Sequence, residues 1–264
     1  MEECTLPSGF EPADRLKRLK SSGIRRFLSS AKKMPGTVNL SVGESDFCPP
    51  EYVVDASARA GGEGKMHYEP TNGIPELREA LAQKARKEYG LGYNPDNEVL
   101  ITLGAGEAIF ATLFGIGNPG DEVLVPDPRF VLYAPCVRLA GGVPISVPLP
   151  EERSFRLCAD DVMSLITDRS RVIILNYPNN PTGGVLAYGE VVALAKVAVE
   201  RDLIVISDEV YEKLVYDGAG HHCLAVFPGM RERTLIVNSL SKTYTMTGLR
   251  VGYVYGPSEL ISAP

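Results

Sequence analysis

The feature that most constrains this chain is a series of short apolar segments that alternate with helix-like segments from about residue 98 onward. Two of the apolar segments, VIIL at 172–175 and LIVI at 203–206, contain no polar residue and are rich in β-branched side chains. Such strands are typical of a mostly parallel sheet whose two faces are both covered by helices. The sequence therefore predicts seven strands, at 98–103, 122–125, 143–147, 171–176, 203–207, 234–238 and 251–255.

Helices fit between these strands. In segment 188–200 the apolar residues Val191, Leu194, Ala195 and Ala198 recur at helical spacing and form one stripe. Segment 74–89 opens with Pro75 and Glu76, which suit the first turn of a helix. Strands that alternate with helices in this way predict a layered α/β domain.

Composition excludes several classes of protein. The 264 residues carry 27 Lys and Arg against 33 Asp and Glu, and this acidic balance disfavours nucleic-acid binding, which needs a concentrated basic surface. We find neither a signal-peptide core nor a run near the ~18 apolar residues that span a membrane. The five cysteines are scattered and disfavour both a disulfide framework and a thiolate zinc site, so we expect a cytoplasmic protein.

The pair His221-His222 is the one cluster of histidines in the sequence. A nickel, copper or zinc site is one interpretation of this pair. Because it follows the turn-like run Asp217-Gly218-Ala219-Gly220, we favour an exposed loop and predict no metal site.

Polar clusters follow four of the predicted strands, at the edge of a parallel sheet where ligands bind. They are GAGEA at 104–108, YPNNPTGG at 177–184, DEVY at 208–211 and SLSKT at 239–243. A Gly-Ala-Gly turn at a helix N-terminus offers free backbone N–H groups to a phosphate. Arg250 and the hydroxyl groups of Ser239 and Ser241 would add a charge and donors to the same anion.

The other residues of these clusters fit an aromatic aldehyde. A lysine such as Lys242, in a partly desolvated pocket near another cation, has a lowered pKa and can form a Schiff base with a carbonyl. A carboxylate at a strand end can hold a pyridinium N–H, and an amide and a phenol can bind a ring oxygen. Phosphate, aldehyde and pyridinium together describe pyridoxal 5'-phosphate. Each cluster alone is a weak signal, and only their joint order favours this cofactor.

The sequence resembles the class I/II aminotransferases, which are fold-type-I pyridoxal-phosphate enzymes similar to aspartate aminotransferase. The most specific motifs are YPNNPTG at 177–183, SDEVY at 207–211 and SLSKTYTMTGLRVG at 239–252, and YEPTNGIPELR at 68–78 also matches. The resemblance covers nearly the whole chain, from residue 22 to about 255. It implies a three-layer α/β/α large domain with a mostly parallel seven-stranded sheet, and a second, small domain.

The resemblance also implies roles for individual residues. Lys242 matches the lysine that forms the Schiff base and moves the α-proton, and Asp208 matches the carboxylate on the pyridinium nitrogen. Tyr68 matches a tyrosine that reaches the phosphate of the neighbouring subunit, which implies a homodimer, and Gly43 matches a glycine that lines the substrate pocket. Further cofactor contacts are implied for Asn180 (which also contacts substrate) and Tyr211 at the ring oxygen, Phe130 on the ring face, and Ala105, Gly106, Ser239, Ser241 and Arg250 at the phosphate.

Two departures from the family pattern matter. Gly106 stands where many relatives have Ser, Thr or Lys, so one side-chain contact to the phosphate is missing. The family's arginine for the substrate α-carboxylate lies in the C-terminal part of the small domain, and this chain stops soon after Arg250. We expect residues 1–48 to form an N-terminal arm with two basic helices and part of an incomplete small domain. Residues 49–264 are expected to form a nearly complete cofactor-binding domain that transaminates poorly or not at all by itself.

The expected function is transfer of an amino group between an L-amino acid and a 2-oxo acid. Aspartate, alanine and aromatic amino acids all stay open as substrates, with aspartate favoured. Another fold-type-I enzyme (a C–S lyase, decarboxylase or synthase) and a catalytically incomplete fragment are alternatives. A sensing domain of a transcriptional regulator would need a DNA-binding module upstream, for which the short N-terminus leaves no room. A nucleotide-dependent oxidoreductase is disfavoured by Ile109, which replaces the third glycine of G-x-G-x-x-G, and by Lys242 in its motif.

Overall fold

The computed structural model describes residues 43–262, together with 11, 13–17, 19, 36 and 38. The chain divides into two compact units, Met1–Gly43 and Glu44–Pro264. In the first unit the described residues include one helical turn, α1 (Asp14–Lys17). The rest of the two basic helices predicted there falls outside the described residues, and the domain assignment with a boundary after residue 48 stays a prediction.

The second unit is built on a seven-stranded sheet with the strand order β1-β7-β6-β5-β4-β2-β3. Strand β7 runs antiparallel to both of its neighbours, and the other strand pairs are parallel. Each of the seven predicted strands is present, with ends within two residues of the predicted ones. The strands are β1 (Val99–Thr102), β2 (Glu122–Asp127), β3 (Val143–Pro148), β4 (Ser170–Asn176), β5 (Ile204–Asp208), β6 (Thr234–Ser239) and β7 (Gly252–Tyr255).

Helices connect the strands, and the two helices predicted at 74–89 and 188–200 are present, as Pro75–Tyr89 and Tyr188–Glu200. Segment 188–200 is helical over its predicted length, and its first turn is closed by the Glu190 carboxylate, which accepts the Ala187 N–H at 2.7 Å. The helices of this unit are α2 (Glu51–Gly62), α3 (Pro75–Tyr89), α4 (Ala105–Ile116), α5 (Tyr133–Leu139), α6 (Ala159–Leu165), α7 (Tyr188–Glu200), α8 (Leu240–Thr243) and α9 (Ser258–Ile261). Short 3₁₀ turns lie at Glu151–Arg153, Leu224–Val226 and Thr247–Leu249.

Apolar cores lie on both faces of the sheet. Successive residues of a strand point to opposite faces. Accordingly, Ile173 of β4 packs in a cluster with Leu194 of α7, while its neighbour Ile174 packs in a second cluster with Ile109 of α4. Full burial of a side chain such as Ile174 stabilises the fold by roughly 1.5–3 kcal/mol. The predicted three-layer α/β/α architecture is confirmed.

The parallel strands also fix where a ligand can bind. Because β4, β5 and β6 run in the same direction, their last residues Asn176, Asp208 and Ser239 lie at one edge of the sheet. The predicted polar clusters begin at this edge. In the described part of the chain, no helix is both long enough and apolar enough to cross a lipid bilayer.

Candidate cofactor-binding site

The centre of the candidate site is Asp208, the last residue of β5, whose side chain is buried. Its Oδ2 atom accepts a hydrogen bond from the Tyr133 hydroxyl group at 2.6 Å, and its Oδ1 atom accepts the Val210 N–H at 3.3 Å. Burial raises the pKa of Asp208 to about 6, although these two hydrogen bonds oppose the rise. A cationic N–H placed beside this carboxyl group would hold it ionised.

Lys242 lies in α8, directly after β6. Its Nζ atom is 5.9 Å from the centroid of the Tyr211 ring. Partial burial lowers the pKa of Lys242, the positive charge of Arg250 lowers it further, and the negative charge of Glu44 acts in the opposite direction. The net lowering enlarges the fraction of neutral amine, which is the form that attacks a carbonyl carbon.

Asn180 and Tyr211, the predicted partners of a ring oxygen, lie next to each other. The Asn180 Nδ2 atom donates to the Tyr211 Oη atom at 3.4 Å. Asn176, for which we predicted no role, supports this arrangement. Its Oδ1 atom accepts the Asn180 N–H at 2.8 Å, and its Nδ2 atom donates to the Asp208 carbonyl oxygen at 3.2 Å. One buried amide therefore ties the turn that carries Asn180 to the strand that carries Asp208.

The predicted phosphate-binding turn lies against Arg250. A Cβ added to Gly104, which precedes α4 with φ 85°, would lie 2.5 Å from the Arg250 Nη2 atom. Arg250 itself has a left-handed backbone (φ 57°), and its Nη1 atom donates to the Thr247 carbonyl oxygen at 2.9 Å. The first N–H groups of a helix have no partner within the helix, so the amides of Ala105 and Gly106 and the Arg250 guanidinium can share one anion.

A second glycine makes this approach possible. A Cβ added to Gly252, the first residue of β7, would lie 2.4 Å from the carbonyl carbon of Gly104 and 2.7 Å from the Ala105 nitrogen. Arg250, which lies two residues before β7, can therefore reach the start of α4 only because residue 252 has no side chain. The sequence contains the signal, a glycine two residues after the arginine, but the close backbone contact is visible only in three dimensions.

Ser239 and Ser241 are both buried, and Ser239 has a structural task. The Ser239 Oγ atom accepts the Ser241 N–H at 2.9 Å and donates to the Val251 carbonyl oxygen at 3.1 Å, so it caps α8 and fastens β7 beside it. Donation to a phosphate would require the Ser239 hydroxyl proton to leave Val251. The phosphate-binding roles of both serines stay predictions.

Three further residues predicted for the site are Phe130, Tyr68 and Gly43. Phe130 packs edge-on against Tyr133, with ring centroids 5.6 Å apart and an interplanar angle of 76°. Tyr68 is fully exposed. Gly43 is the last residue of the first compact unit. The predicted roles of Tyr68 and Gly43 are not addressed by these positions and stay predictions.

The prediction that His221 lies in an exposed loop is wrong. The segment is a loop, but the His221 side chain is only 14% exposed, and its Nε2 atom lies 2.9 Å from the Glu209 Oε2 atom. Glu209 belongs to a cluster of titratable side chains that also contains Glu212 and His221, and both glutamates are buried. The sequence analysis missed this contact because Gly and Asp around a histidine indicate a turn and carry no information about a carboxylate twelve residues away.

One carboxylate oxygen each from Glu209 and Glu212 and one ring nitrogen of His221 lie within 4.8 Å of one another, a geometry that could hold a cation. Groups of the chain itself already bind them. Lys84 donates to the Glu212 Oε1 atom at 2.8 Å, Tyr89 donates to its Oε2 atom, and the Ser207 hydroxyl donates to the Glu209 Oε1 atom at 2.9 Å. These contacts account for the burial of two carboxylates through protein donors.

The donor set fits pyridoxal 5'-phosphate. An anion cradle that a single Cβ would fill, a lysine with a lowered pKa and a buried carboxyl group supply one group each for the phosphate, the aldehyde and the ring nitrogen of this cofactor. Together with the α/β/α sheet, they define a fold-type-I pyridoxal-phosphate protein.

Comparison with known proteins identifies the family. Residues 35–263 match the family model described as aminotransferase class I and II, and the chain belongs to this family. It is 43% identical over 249 residues to an aspartate aminotransferase of Pyrococcus abyssi and 42% identical over 249 residues to aromatic-amino-acid aminotransferase 2 of Thermococcus litoralis, and in both cases the match covers 94% of this chain. The solved structure of N-succinyldiaminopimelate aminotransferase from Mycobacterium tuberculosis matches 96% of the chain with a TM-score of 0.92 at 40% identity.

The matches also show how much of a relative the chain represents. It spans 64% of the length of the Pyrococcus and Thermococcus enzymes and 66% of the Mycobacterium structure. The relatives differ in the amino acids that their names state, so membership of the family does not by itself assign a substrate.

Proposed function

We propose that this chain binds pyridoxal 5'-phosphate and forms the cofactor side of an aminotransferase site that moves an amino group between an L-amino acid and a 2-oxo acid. One observation carries the proposal. Lys242, the lysine with the lowered pKa, follows β6, and the buried carboxyl group of Asp208 is at the end of the adjacent parallel strand β5. Both lie at the edge where Arg250 packs against the start of α4.

Each side chain then has a defined task. When bound, the cofactor supplies an aldehyde carbon that accepts an amino group and a ring that withdraws electrons. Asp208 keeps a proton on the ring nitrogen, because an ionised carboxylate in a buried position is stabilised by an adjacent cation. Asn180 and Tyr211 donate to the ring oxygen, and Phe130 packs on the ring.

The remaining residues hold the phosphate and move the proton. Arg250 and the amides of Ala105 and Gly106 bind the phosphate, with Ser239 and Ser241 as further donors. Lys242, once its amine is neutral, would take the proton from the substrate Cα atom and deliver it to the former aldehyde carbon of the cofactor, on the other side of the shared nitrogen. The same Nζ atom therefore serves first as nucleophile and then as general base.

The test uses absorbance and covalent trapping. Addition of pyridoxal phosphate should give the visible absorbance of a protonated imine, and borohydride reduction should fix the cofactor to the peptide that contains Lys242. Lys242→Ala should abolish both signals, while Lys196→Ala, at an exposed position of α7, should leave both unchanged. Equal labelling of the wild type and Lys242→Ala would contradict the assignment.

The substrate is proposed at two levels. The amino donor is an L-amino acid, and aspartate is favoured over alanine and the aromatic amino acids, in line with the name of the relative from Pyrococcus abyssi. Product analysis of the reaction, with and without a 2-oxo acid, tests the reaction type. Release of many equivalents of oxo acid per protein only when a second oxo acid is present, with at most one equivalent in its absence, supports transamination. Continued product release without a second oxo acid would favour a lyase, decarboxylase or synthase.

We also propose a homodimer, in which Tyr68 contributes to the phosphate site of the neighbouring subunit, and a cytoplasmic location. The dimer is supported by exposed apolar side chains, among them Phe114, which is 64% exposed and stacks on Phe110. Sedimentation should give a dimer, and Phe114→Lys should shift it toward monomer, whereas Lys196→Ala should not.

The proposed cytoplasmic location is supported by the free thiols of Cys48, Cys136, Cys158 and Cys223.

A further inference from the structure

Tyr133 contacts two of the residues that are expected to hold the cofactor ring, Asp208 and Phe130. Its hydroxyl group donates to the Asp208 Oδ2 atom at 2.6 Å, and its ring packs edge-on against Phe130 at 5.6 Å between centroids. It is the first residue of α5 and is completely buried. A single side chain therefore joins the proposed pyridinium partner to the proposed stacking residue.

The direction of the Tyr133–Asp208 hydrogen bond is fixed. Burial and the negative charge of Asp208 raise the pKa of the Tyr133 phenol well above its ordinary value, so the phenol stays protonated and can only donate to the carboxylate. The Val210 N–H holds the other carboxylate oxygen at 3.3 Å, which is a longer and weaker contact. Tyr133 thus anchors Oδ2 and leaves Oδ1 as the oxygen with capacity for a further donor.

We infer that Tyr133 is a positioning residue, which orients Asp208 and Phe130 together toward the ring of pyridoxal phosphate. This inference rests on the proposed function, because it assigns a task to Tyr133 within that site. Tyr133 does not itself touch the reacting atoms. It acts by fixing the carboxylate plane through its hydroxyl group and the Phe130 ring through its own ring edge.

Two substitutions separate the two contacts. Tyr133→Phe keeps the ring and removes the hydroxyl group, whereas Tyr133→Leu removes both. Tyr93→Phe is the matched control, because Tyr93 is also buried and its hydroxyl group has no hydrogen-bond partner within the described part of the chain. If Tyr133→Phe and Tyr93→Phe shifted the Asp208 titration and weakened cofactor binding to the same extent, the effect would come from the loss of any buried hydroxyl group. That result would overturn the inference.

The first measurement needs no cofactor. Infrared spectroscopy of the apoprotein, with ¹³C-labelled aspartate, follows protonation of the buried Asp208 carboxyl group as the pH changes, and Asp208→Asn identifies its band. Loss of a donor to the carboxylate should move the Asp208 transition in Tyr133→Phe upward from its wild-type position, with Tyr93→Phe unchanged. An unshifted transition in Tyr133→Phe would overturn the Asp208 half of the inference.

The second measurement is cofactor affinity. Tyr133→Phe should bind pyridoxal phosphate about tenfold more weakly than wild type, which corresponds to about 1.4 kcal/mol, and Tyr133→Leu should bind it more weakly still. Equal affinities of Tyr133→Phe and Tyr133→Leu would overturn the part of the inference in which Tyr133 orients the Phe130 ring. A wild-type protein without imine absorbance would contradict the proposed function instead, while the infrared titration would still decide the role of Tyr133.

Discussion

Gly252 touches the backbone of Gly104 so closely that a Cβ on Gly252 would lie 2.4 Å from the Gly104 carbonyl carbon. Such a contact between backbones cannot be relieved by rotation of a side chain. It brings the start of β7, and with it Arg250, to the N-terminus of α4. The phosphate cradle is therefore a property of two glycines from distant parts of the chain as much as of the arginine.

Gly252→Ala should destabilise the protein and weaken phosphate binding, because the added methyl group forces β7 away from α4. Overpacking of this kind costs roughly 1–3 kcal/mol, and we expect the upper end because both partners are backbone atoms. Urea denaturation measures the loss. Gly189→Ala, where a Cβ meets nothing within 4 Å, is the control and should not destabilise the helix. Equal stability of the two variants would contradict the proposed role of Gly252.

Arg250→Ala should weaken the binding of pyridoxal phosphate while leaving the binding of pyridoxal, which has no phosphate, nearly unchanged. A hydrogen bond to a charged group contributes roughly 1.5–3 kcal/mol, which corresponds to a loss of affinity of about 10- to 150-fold. Absorbance titration with the two compounds measures the difference. Arg171→Ala, at an exposed position near the opposite end of β4, should bind both compounds like the wild type. An equal loss for both compounds would place Arg250 away from the phosphate.

The Glu209–His221 pair predicts how stability depends on pH. Burial by itself lowers the pKa of His221, but the hydrogen bond and charge of Glu209 outweigh it and raise the pKa above its ordinary value of 6.5. Burial raises the pKa of Glu209, but His221 and Ser207 outweigh it and hold the pKa below 4.5. Glu212 favours the cationic form of His221, and Lys213 opposes it.

The raised pKa of His221 and the lowered pKa of Glu209 limit the stabilising effect of this pair at opposite ends of a pH range. The contribution of His221 is complete below pH 6.5 and is lost as the pH rises through its raised pKa, whereas that of Glu209 is present above pH 4.5 and is lost as the pH falls through its lowered pKa. The unfolding free energy of the wild type should therefore peak between about pH 4.5 and 6.5 relative to His221→Ala. His67→Ala, at an exposed histidine, should follow the wild type at every pH. A difference between wild type and His221→Ala that grows above pH 8 would reverse the sign and refute the pairing.

Asn176→Ala should disturb Asn180 and Asp208 together. The substitution leaves the Asn180 N–H and the Asp208 carbonyl oxygen without their side-chain partner, and an unsatisfied buried group costs roughly 1–3 kcal/mol. We expect both lower stability and weaker cofactor binding. Asn118→Ala, at an exposed position, tests whether the effect is specific to the buried asparagine. Loss of stability with unchanged cofactor affinity would show that Asn176 supports the fold and not the site.

The fold was predictable where local patterns are strong. Continuous apolar segments such as the one at 172–175 fixed the positions of the strands, because burial on both faces leaves no place for a polar residue. The position of β7, antiparallel between β1 and β6, was not predictable. Strand order depends on contacts between distant segments, for which the period of a single strand holds no information.

The candidate site shows the same division. The motifs around Lys242 and Asp208 predicted the chemical groups that bind a cofactor with a phosphate, an aldehyde and a pyridine ring. Tyr133 was missed, because a lone tyrosine at the start of a helix gives no signal of the carboxylate 75 residues away. His221 was assigned wrongly for a related reason, since its neighbours in sequence indicate a turn while its burial comes from Glu209.

The sequence by itself therefore determined the elements of secondary structure, the family and the kinds of chemical group at the sheet edge, since these follow from local periodicity and from contiguous motifs. Only the tertiary structure decided which groups meet. Tyr133 reaches Asp208, Asn176 joins two strands, and Gly252 admits Arg250 to the start of α4. The physical reason is that a hydrogen bond or a backbone contact depends on distances of a few ångströms, and these are set by the packing of the whole domain and not by the spacing of residues along the chain.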